Sequence, residues 1–368
     1  MIRFLKCSID GYKSIKNLDE FELGSVNVLI GSNGSGKSNF ISFFRMLSWM
    51  LGGNLQSYLG THEGGSASKV LHDGQRTTPV LGGWISLETD KRENEYAFKL
   101  SYAAGDVLVF SDERYRFSNI DYPEKACWLE LPVGGRESRL REKVNSGDKT
   151  AEVIQWLLRQ LVVHQFHDTS FKSRMRQTWE LRDDRHMKED GANLASVLKG
   201  LHDGENARYT RIVDVLQVLL PFFEDFELEP RHDRILLQWT EKDSDVVFDA
   251  SQASDGMLRT MALVTLLSMP PDRLPAVLML DEPELGLHPA AISVVAGMIR
   301  SLAETNQVVL ATQSAAMVDE FEPEQVVVVE REGRQSGFKR LQKSGLEQWL
   351  QDYSLAEMWE KNLLGGRP

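Results

Sequence analysis

Cysteine is nearly absent. Cys7 and Cys127 are the only two in 368 residues and form no CxxC pattern. The eight histidines supply no pair at metal-ligand spacing, so neither a disulfide framework nor a zinc site is expected. Long apolar stretches are missing too, since no run of about eighteen apolar residues occurs. The opening residues, Met1-Ile-Arg-Phe-Leu-Lys-Cys, meet charge too early for a secretory core. The expectation is a soluble cytoplasmic protein with no membrane partner. Sustained heptads are lacking, which excludes long coiled-coil arms. Positive charge is in the minority, 42 Lys and Arg against 54 Asp and Glu for a net of -12. Bulk electrostatics therefore do not mark a nucleic-acid binder. The densest basic clusters are Arg136, Arg139, Arg141 and Lys143, then Lys172, Arg174, Arg176, Arg182, Arg185 and Lys188. Each is interleaved with acidic residues and reads either as a solvated face or as a phosphate contact for DNA or RNA.

What is present is enough apolar content, 42 %, for one large domain or two ordinary ones. Residues 2–10 and 26–30 read as strands, and Ser38–Leu51 as an amphipathic helix. Residues 53–78, rich in Gly, Ser and Thr, read as a surface loop. Tyr96, Phe98, Leu100 and Tyr102 alternate with Ala97, Lys99 and Ser101; with similar runs at 83–88, 106–110 and 126–131 they predict an antiparallel sheet. From 151 to about 222 the spacing is mostly helical, interrupted by a strand-like run from Leu161. Short strands follow at 225–229, 234–239 and 245–249, then alternating helix and strand to 311.

The chemistry is concentrated in a few motifs. Gly31-Ser32-Asn33-Gly34-Ser35-Gly36-Lys37-Ser38 fits GxxxxGK[ST] at every required position, with a strand before it and a helix after it. Glycines let successive N–H groups turn toward phosphate oxygens, and the helix adds its positive end. In ATP binding, Lys37 would reach the β- and γ-phosphates and the Ser38 hydroxyl would ligate Mg²⁺. Asn39 adjoins this set. Far downstream, Ala276-Val-Leu-Met-Leu-Asp-Glu is a buried strand delivering two carboxylates at its end. Asp281 suits the Mg²⁺ shell, and Glu282 suits activation of water.

Pro283-Glu284-Leu285-Gly286-Leu287-His288-Pro289 follows. The run Asp-Glu-Pro-Glu-x-Gly-Leu-His-Pro after an apolar strand resembles the ABC-type ATPases of the RecF, SMC and OLD group. Ala253-Ser254-Asp255-Gly256-Met257-Leu258-Arg259 agrees with this, since Ser254 and Gly256 match the Ser and second Gly of the ABC signature sequence. A plain helix N-cap at Ser254 or Asp255 is the alternative. Gln313, after the strand ending at Ala311, stands where ABC ATPases usually carry a switch histidine. It reads either as a γ-phosphate or water sensor unable to become a cation, or as a helix-start residue. The segment His164-Gln165-Phe166-His167-Asp168-Thr169 could hold the equivalent of the family's Q-loop glutamine, a metal site, or plain lobe structure. Weaker likeness extends to Asp190–Leu194 and to the tail from Trp359 to Pro368.

The resemblance implies an α/β fold: an ABC-type P-loop ATPase head with a mixed central sheet, an antiparallel β subdomain and a helical lobe. It divides into an N-terminal lobe over 1–150, a helical lobe and insertion over 151–250, and a signature, acidic-strand and switch lobe over 251–368. It implies a homodimer closing on two Mg-ATP, a switch in DNA maintenance or bacterial defence against phage. What the switch controls is DNA, RNA or a separate effector such as a nuclease. Fewer than 60 residues follow Gln313, too few for the Toprim nuclease of OLD-type relatives, so any nuclease is expected on another chain. Two further readings stay open. An ABC transporter subunit is opposed by the roughly 216 residues between Ser38 and Ser254 and by Ala-Ser-Asp-Gly-Met in place of Leu-Ser-Gly-Gly-Gln. A non-hydrolysing ATP-bound scaffold is opposed by Lys37, Asp281 and Glu282.

Overall fold

The computed structural model describes residues 2–61, 64–89, 92–119 and 126–366. Part of the 53–78 stretch (His62 and Glu63) and the last two residues of the tail lie outside them. The elements in chain order are β1 (Ile2–Tyr12), β2 (Ile15–Glu22), β3 (Val26–Ile30), α1 (Lys37–Leu51), α2 (Leu55–Leu59), α3 (Ala67–Val70), β4 (Val80–Thr89), β5 (Arg92–Ala103), β6 (Val107–Asn119), β7 (Leu129–Glu130), α4 (Leu140–Asn145), α5 (Lys149–Leu158) and β8 (Leu161–His164). They continue with β9 (Trp179–Glu180), α6 (Leu194–Gly204), α7 (Asn206–Leu219), β10 (Phe223–Phe226), β11 (Arg234–Ile235), β12 (Gln238–Glu241), β13 (Val247–Asp249), α8 (Asp255–Ser268), β14 (Val277–Asp281), α9 (Pro289–Leu302), β15 (Gln307–Thr312), α10 (Ala315–Val318), β16 (Val326–Glu332), β17 (Gln335–Arg340) and α11 (Leu355–Glu360). The described residues form two units: Met1–Val163 with Pro275–Met279 and Gln307–Pro368, and His164–Leu274 with Leu280–Asn306.

The first unit holds two six-stranded sheets. The alternating segments form an antiparallel sheet in the order β2-β1-β4-β5-β6-β7. The β-branched runs form a mixed sheet in the order β17-β16-β3-β15-β14-β8, in which β15 and β16 flank β3 in parallel and β17 returns antiparallel. Val26–Ile30 is buried at every position, as expected of a strand covered on both faces. Helix α1 buries one face through Phe40, Phe43, Phe44, Leu47 and Met50, and Ile41 and Met46 extend the burial to either side of it. Its rings meet Phe4 at 5.4 Å edge-on and stack on Phe98 at 6.2 Å, so one aromatic core ties the helix after the glycine-rich loop to the antiparallel sheet.

The stretch 53–78 is not simply a loop. It carries α2 and α3, and Leu55, Tyr58 and Val70 are buried. Tyr58 Oη lies 3.2 Å from Tyr12 Oη, and Leu71 bridges Tyr12. Tertiary burial of a few apolar side chains, not periodicity, orders this glycine-rich segment.

The second unit contains α6 to α9, a three-stranded sheet ordered β10-β12-β13 and the short β9–β11 pair. Helix α8 is apolar almost all round, with residues 260–268 buried throughout. Among the described residues no helix is long and apolar enough to cross a membrane.

Candidate functional site

In the first unit the loop Gly31–Ser38 leaves β3 and opens α1. Gly34 and Gly36 take φ of 79° and 117°, a left-handed backbone that side-chain-bearing residues avoid. The Lys37 side chain is 4 % exposed. Its Nζ donates to the carbonyls of Gly31 and Ser32 at 2.5 and 3.1 Å, which centres the cation in the curl of the loop. Ser38 is exposed and Asn39 half-buried. Asn39 Nδ2 donates to Ser14 Oγ at 2.7 Å, and Ser336 Oγ joins the same hydroxyl at 2.7 Å. Ser336 also donates to the Ser35 carbonyl. Thus the β1–β2 turn and β17 both brace the loop.

Gln313 is brought to the same place by sheet register. Thr312 of β15 pairs with Ile30 of β3 in parallel, so Gln313 and Gly31 leave adjacent strands at one level. The N-cap of α10 is Ser314, whose Oγ accepts from Met317 N at 3.2 Å; Gln313 itself does not cap that helix. Beside the loop an open groove is lined by Lys13, Ser14, Asn39, Lys69, Arg331 and Arg334.

The tail supports the loop from behind. Trp359 is fully buried and its Nε1 donates to the Gly366 carbonyl at 2.7 Å. A side chain at Gly366 would meet Val328 Cγ1 at 2.7 Å and lie 3.6 Å from Gly31 Cα. Trp359→Ala is expected to cost about 3–5 kcal/mol of stability, read by urea unfolding, and to weaken binding at the loop.

The second unit holds the carboxylates. Asp281, 7 % exposed, ends β14. Glu282 follows with φ of 47°, an unfavourable backbone for a residue with a side chain and a frequent mark of functional positions. Gln165 Nε2 donates to Asp281 Oδ2 at 3.2 Å, and His167 Nε2 lies 3.1 Å from the Asp281 carbonyl. The loop carrying them is held by Arg259 of α8, which donates to the carbonyls of Phe166 and His167 at 3.1 Å each. Ser254 caps α8, its Oγ accepting from Met257 N at 3.2 Å. Ser254 and Asp255 are exposed and Gly256 half-buried. A Cβ on Gly256 would sit 2.7 Å from the Gly286 carbonyl, so this glycine permits close approach between the start of α8 and the segment after the carboxylates. Arg176 braces the same turn through the carbonyls of Ala250 and Ala253. His288 caps α9, its Nδ1 accepting from Ala290 N at 3.2 Å.

With this geometry in place, comparison with known proteins decides the family. The family described as "AAA domain, putative AbiEii toxin, Type IV TA system" matches residues 26–319. The chain belongs to this AAA family. It is 24 % identical over 360 residues to the Old nuclease of Escherichia phage P2, covering 86 % of this chain and 57 % of that protein. The chain therefore spans little more than half the length of that relative. Among solved structures it resembles the Smc head domain with an extended coiled coil, bound to the C-terminal domain of ScpA, from Pyrococcus furiosus. That match has a TM-score of 0.57 at 14 % identity and covers 96 % of this chain and 99 % of that one. A second is an SmcHead bound to the C-winged helix domain of ScpA, with a TM-score of 0.58 at 15 % identity, covering 93 % and 99 %. The expected ABC-type ATPase head fold of the SMC and OLD group is thus the fold of this AAA-family chain.

Sequence motifs pointed to the loop Gly31–Ser38, to Asp281 and Glu282, and to the turn that opens α8 in this AAA-family chain. They assigned no bracing role to Ser14, Ser336, Arg176 or Arg259, whose partners are far away in sequence: Ser14 meets the side chains of Asn39 and Ser336, while Ser336, Arg176 and Arg259 donate to backbone carbonyls. The available signal was Arg259 itself, a basic residue on an otherwise apolar helix. Of the ten basic residues in these clusters, four form ion pairs among the described residues: Arg139 with Glu142 at 3.4 Å, Arg174 with Asp190 at 2.8 Å, Arg176 with Asp255 at 3.3 Å and Lys188 with Asp183 at 3.1 Å. His164 Nε2 lies 3.3 Å from the Met187 carbonyl. Among the described residues no group of three His, Cys, Asp or Glu could hold a metal.

Proposed function

We propose that this chain binds and hydrolyses ATP, and that two copies close head to tail around two Mg-ATP. The observation that carries the reading is the loop Gly31–Ser38, with left-handed glycines, a buried Lys37 and the first turn of α1 behind it. Loop N–H groups and the helix end would cradle the phosphates, and Lys37 would leave the loop carbonyls for the β- and γ-phosphate oxygens. The basic groove from Lys13 to Arg334 offers room for the nucleoside. The Ser38 hydroxyl and Asp281 carboxylate are hard oxygen donors suited to Mg²⁺, which when bound neutralises phosphate charge.

Glu282 accepts a proton from the attacking water as the water oxygen bonds to the γ-phosphorus and the bond from that phosphorus to the β–γ bridging oxygen breaks, leaving ADP and phosphate. Gln313 hydrogen-bonds that water or a γ-phosphate oxygen; as an amide it holds position and moves no proton. Ser254 contributes to the partner's nucleotide. Its Oγ already accepts from Met257 N, yet a hydroxyl keeps one O–H to donate, and the exposed start of α8 adds positive potential toward a γ-phosphate. Closing and reopening is the output, a conformational switch in DNA maintenance or anti-phage defence. It would act on DNA, RNA or a separate effector such as a nuclease through contacts that differ between the two states.

Sedimentation velocity with and without Mg-ATP tests the reading, using Glu282→Gln to hold the closed state. ATP-dependent dimers that Ser254→Arg abolishes are expected. Monomers under all conditions, or dimers indifferent to Ser254→Arg, would contradict it.

A further inference from the structure

The strand β14 delivers its two carboxylates through an awkward joint, because Glu282 sits at φ 47°. The peptide linking it to Asp281 is met at its carbonyl by a histidine. His167 Nε2 lies 3.1 Å from the Asp281 carbonyl, and His167 Nδ1 lies 2.9 Å from Gln165 Nε2. A carbonyl only accepts and an amide nitrogen only donates. The ring is consequently the tautomer with its proton on Nε2, donating to Asp281 O and accepting from Gln165 at Nδ1. Gln165 also donates to the Asp281 carboxylate, and Arg259 clamps the main chain of the histidine's own loop. A small cavity lined by His164, His167, Arg259 and Glu282 has room for about one water molecule.

We propose that His167 is a positioning residue for ATP hydrolysis: by donating to the Asp281 carbonyl it fixes the Asp281–Glu282 peptide and so aims the Glu282 carboxylate at the attacking water. This rests on the reading of Glu282 as the base. His167 touches neither nucleotide nor water in this role, so its loss slows turnover without loosening ATP.

The test compares His167→Ala and His167→Gln in the full chain by steady-state phosphate release, fluorescent-ATP binding and thermal denaturation. His167→Ala is expected to lower kcat by about 10- to 100-fold, with KM and nucleotide affinity within about twofold. His167→Gln can place an amide N–H near the position of Nε2, and it should recover most of the rate. In the Glu282→Gln background, His167→Ala should lower the residual rate no further, as befits a residue acting through Glu282. Wild-type turnover in His167→Ala, or a well-folded His167→Gln as slow as the alanine variant, would overturn the inference. Wild-type turnover in Glu282→Gln would instead overturn the reading of the base.

Discussion

Replacing Glu282 with glutamine is expected to lower ATP turnover by about 10²- to 10⁴-fold, the usual contribution of a positioned general base. Glutamine matches the shape of glutamate and bears the same left-handed backbone at φ 47°, so folding and nucleotide binding should be little changed. What disappears is the proton acceptor. Mg-ATP should then persist in the closed dimer, and a single-turnover experiment should show bound ATP outlasting that of the wild type by a similar factor. A Glu282→Gln protein that hydrolyses ATP within twofold of wild type would remove Glu282 from the chemistry.

The second large effect is at Lys37. Its ammonium is almost fully buried and satisfied by the carbonyls of Gly31 and Ser32. Such a cation costs desolvation, which is offset when it meets phosphate oxygens of opposite charge. Lys37→Ala is expected to weaken ATP binding by at least about 2–5 kcal/mol, the cost of truncating one partner of a buried charge pair. Calorimetric titration should find little or no heat at micromolar ATP. Thermal stability should fall much less, because the helix after Lys37 is anchored by Phe40, Phe43 and Phe44. Unchanged affinity would place the nucleotide elsewhere.

The parts of this molecule that could be read from sequence are those whose chemistry is contiguous. A phosphate loop needs its glycines, lysine and serine within one turn of chain, and β14 carries Asp281 and Glu282 side by side. Alternation also disclosed the antiparallel sheet, although it could not show that β1 lies between β2 and β4. What stayed hidden depends on distant partners. Arg259 reaches a carbonyl 93 residues away, and Gln165 a carboxylate 116 residues away. Periodicity carries no information about such pairs. The stretch 53–78 misled for a related reason, since α2 and α3 are too short to show a period and are ordered by Leu55, Tyr58 and Val70 finding the core. The segment His164–Thr169 was legible as unusual but not in its role, which Gln165 and His167 acquire only by meeting Asp281.

The central proposal is that each ATP site is shared between two copies of the chain, the loop from one and Ser254 from the other. Mixing two inactive variants tests this most directly. Lys37→Ala and Ser254→Arg should each be inactive alone, yet a mixed dimer contains one site with an intact loop and an intact signature turn. Because neither variant closes on itself, mixed dimers are the species that ATP assembles, and an equimolar mixture is expected to regain phosphate release that neither variant shows alone, up to roughly half of the wild-type rate if the sites act independently. No recovery at any mixing ratio, or full activity of Ser254→Arg by itself, would contradict a shared site.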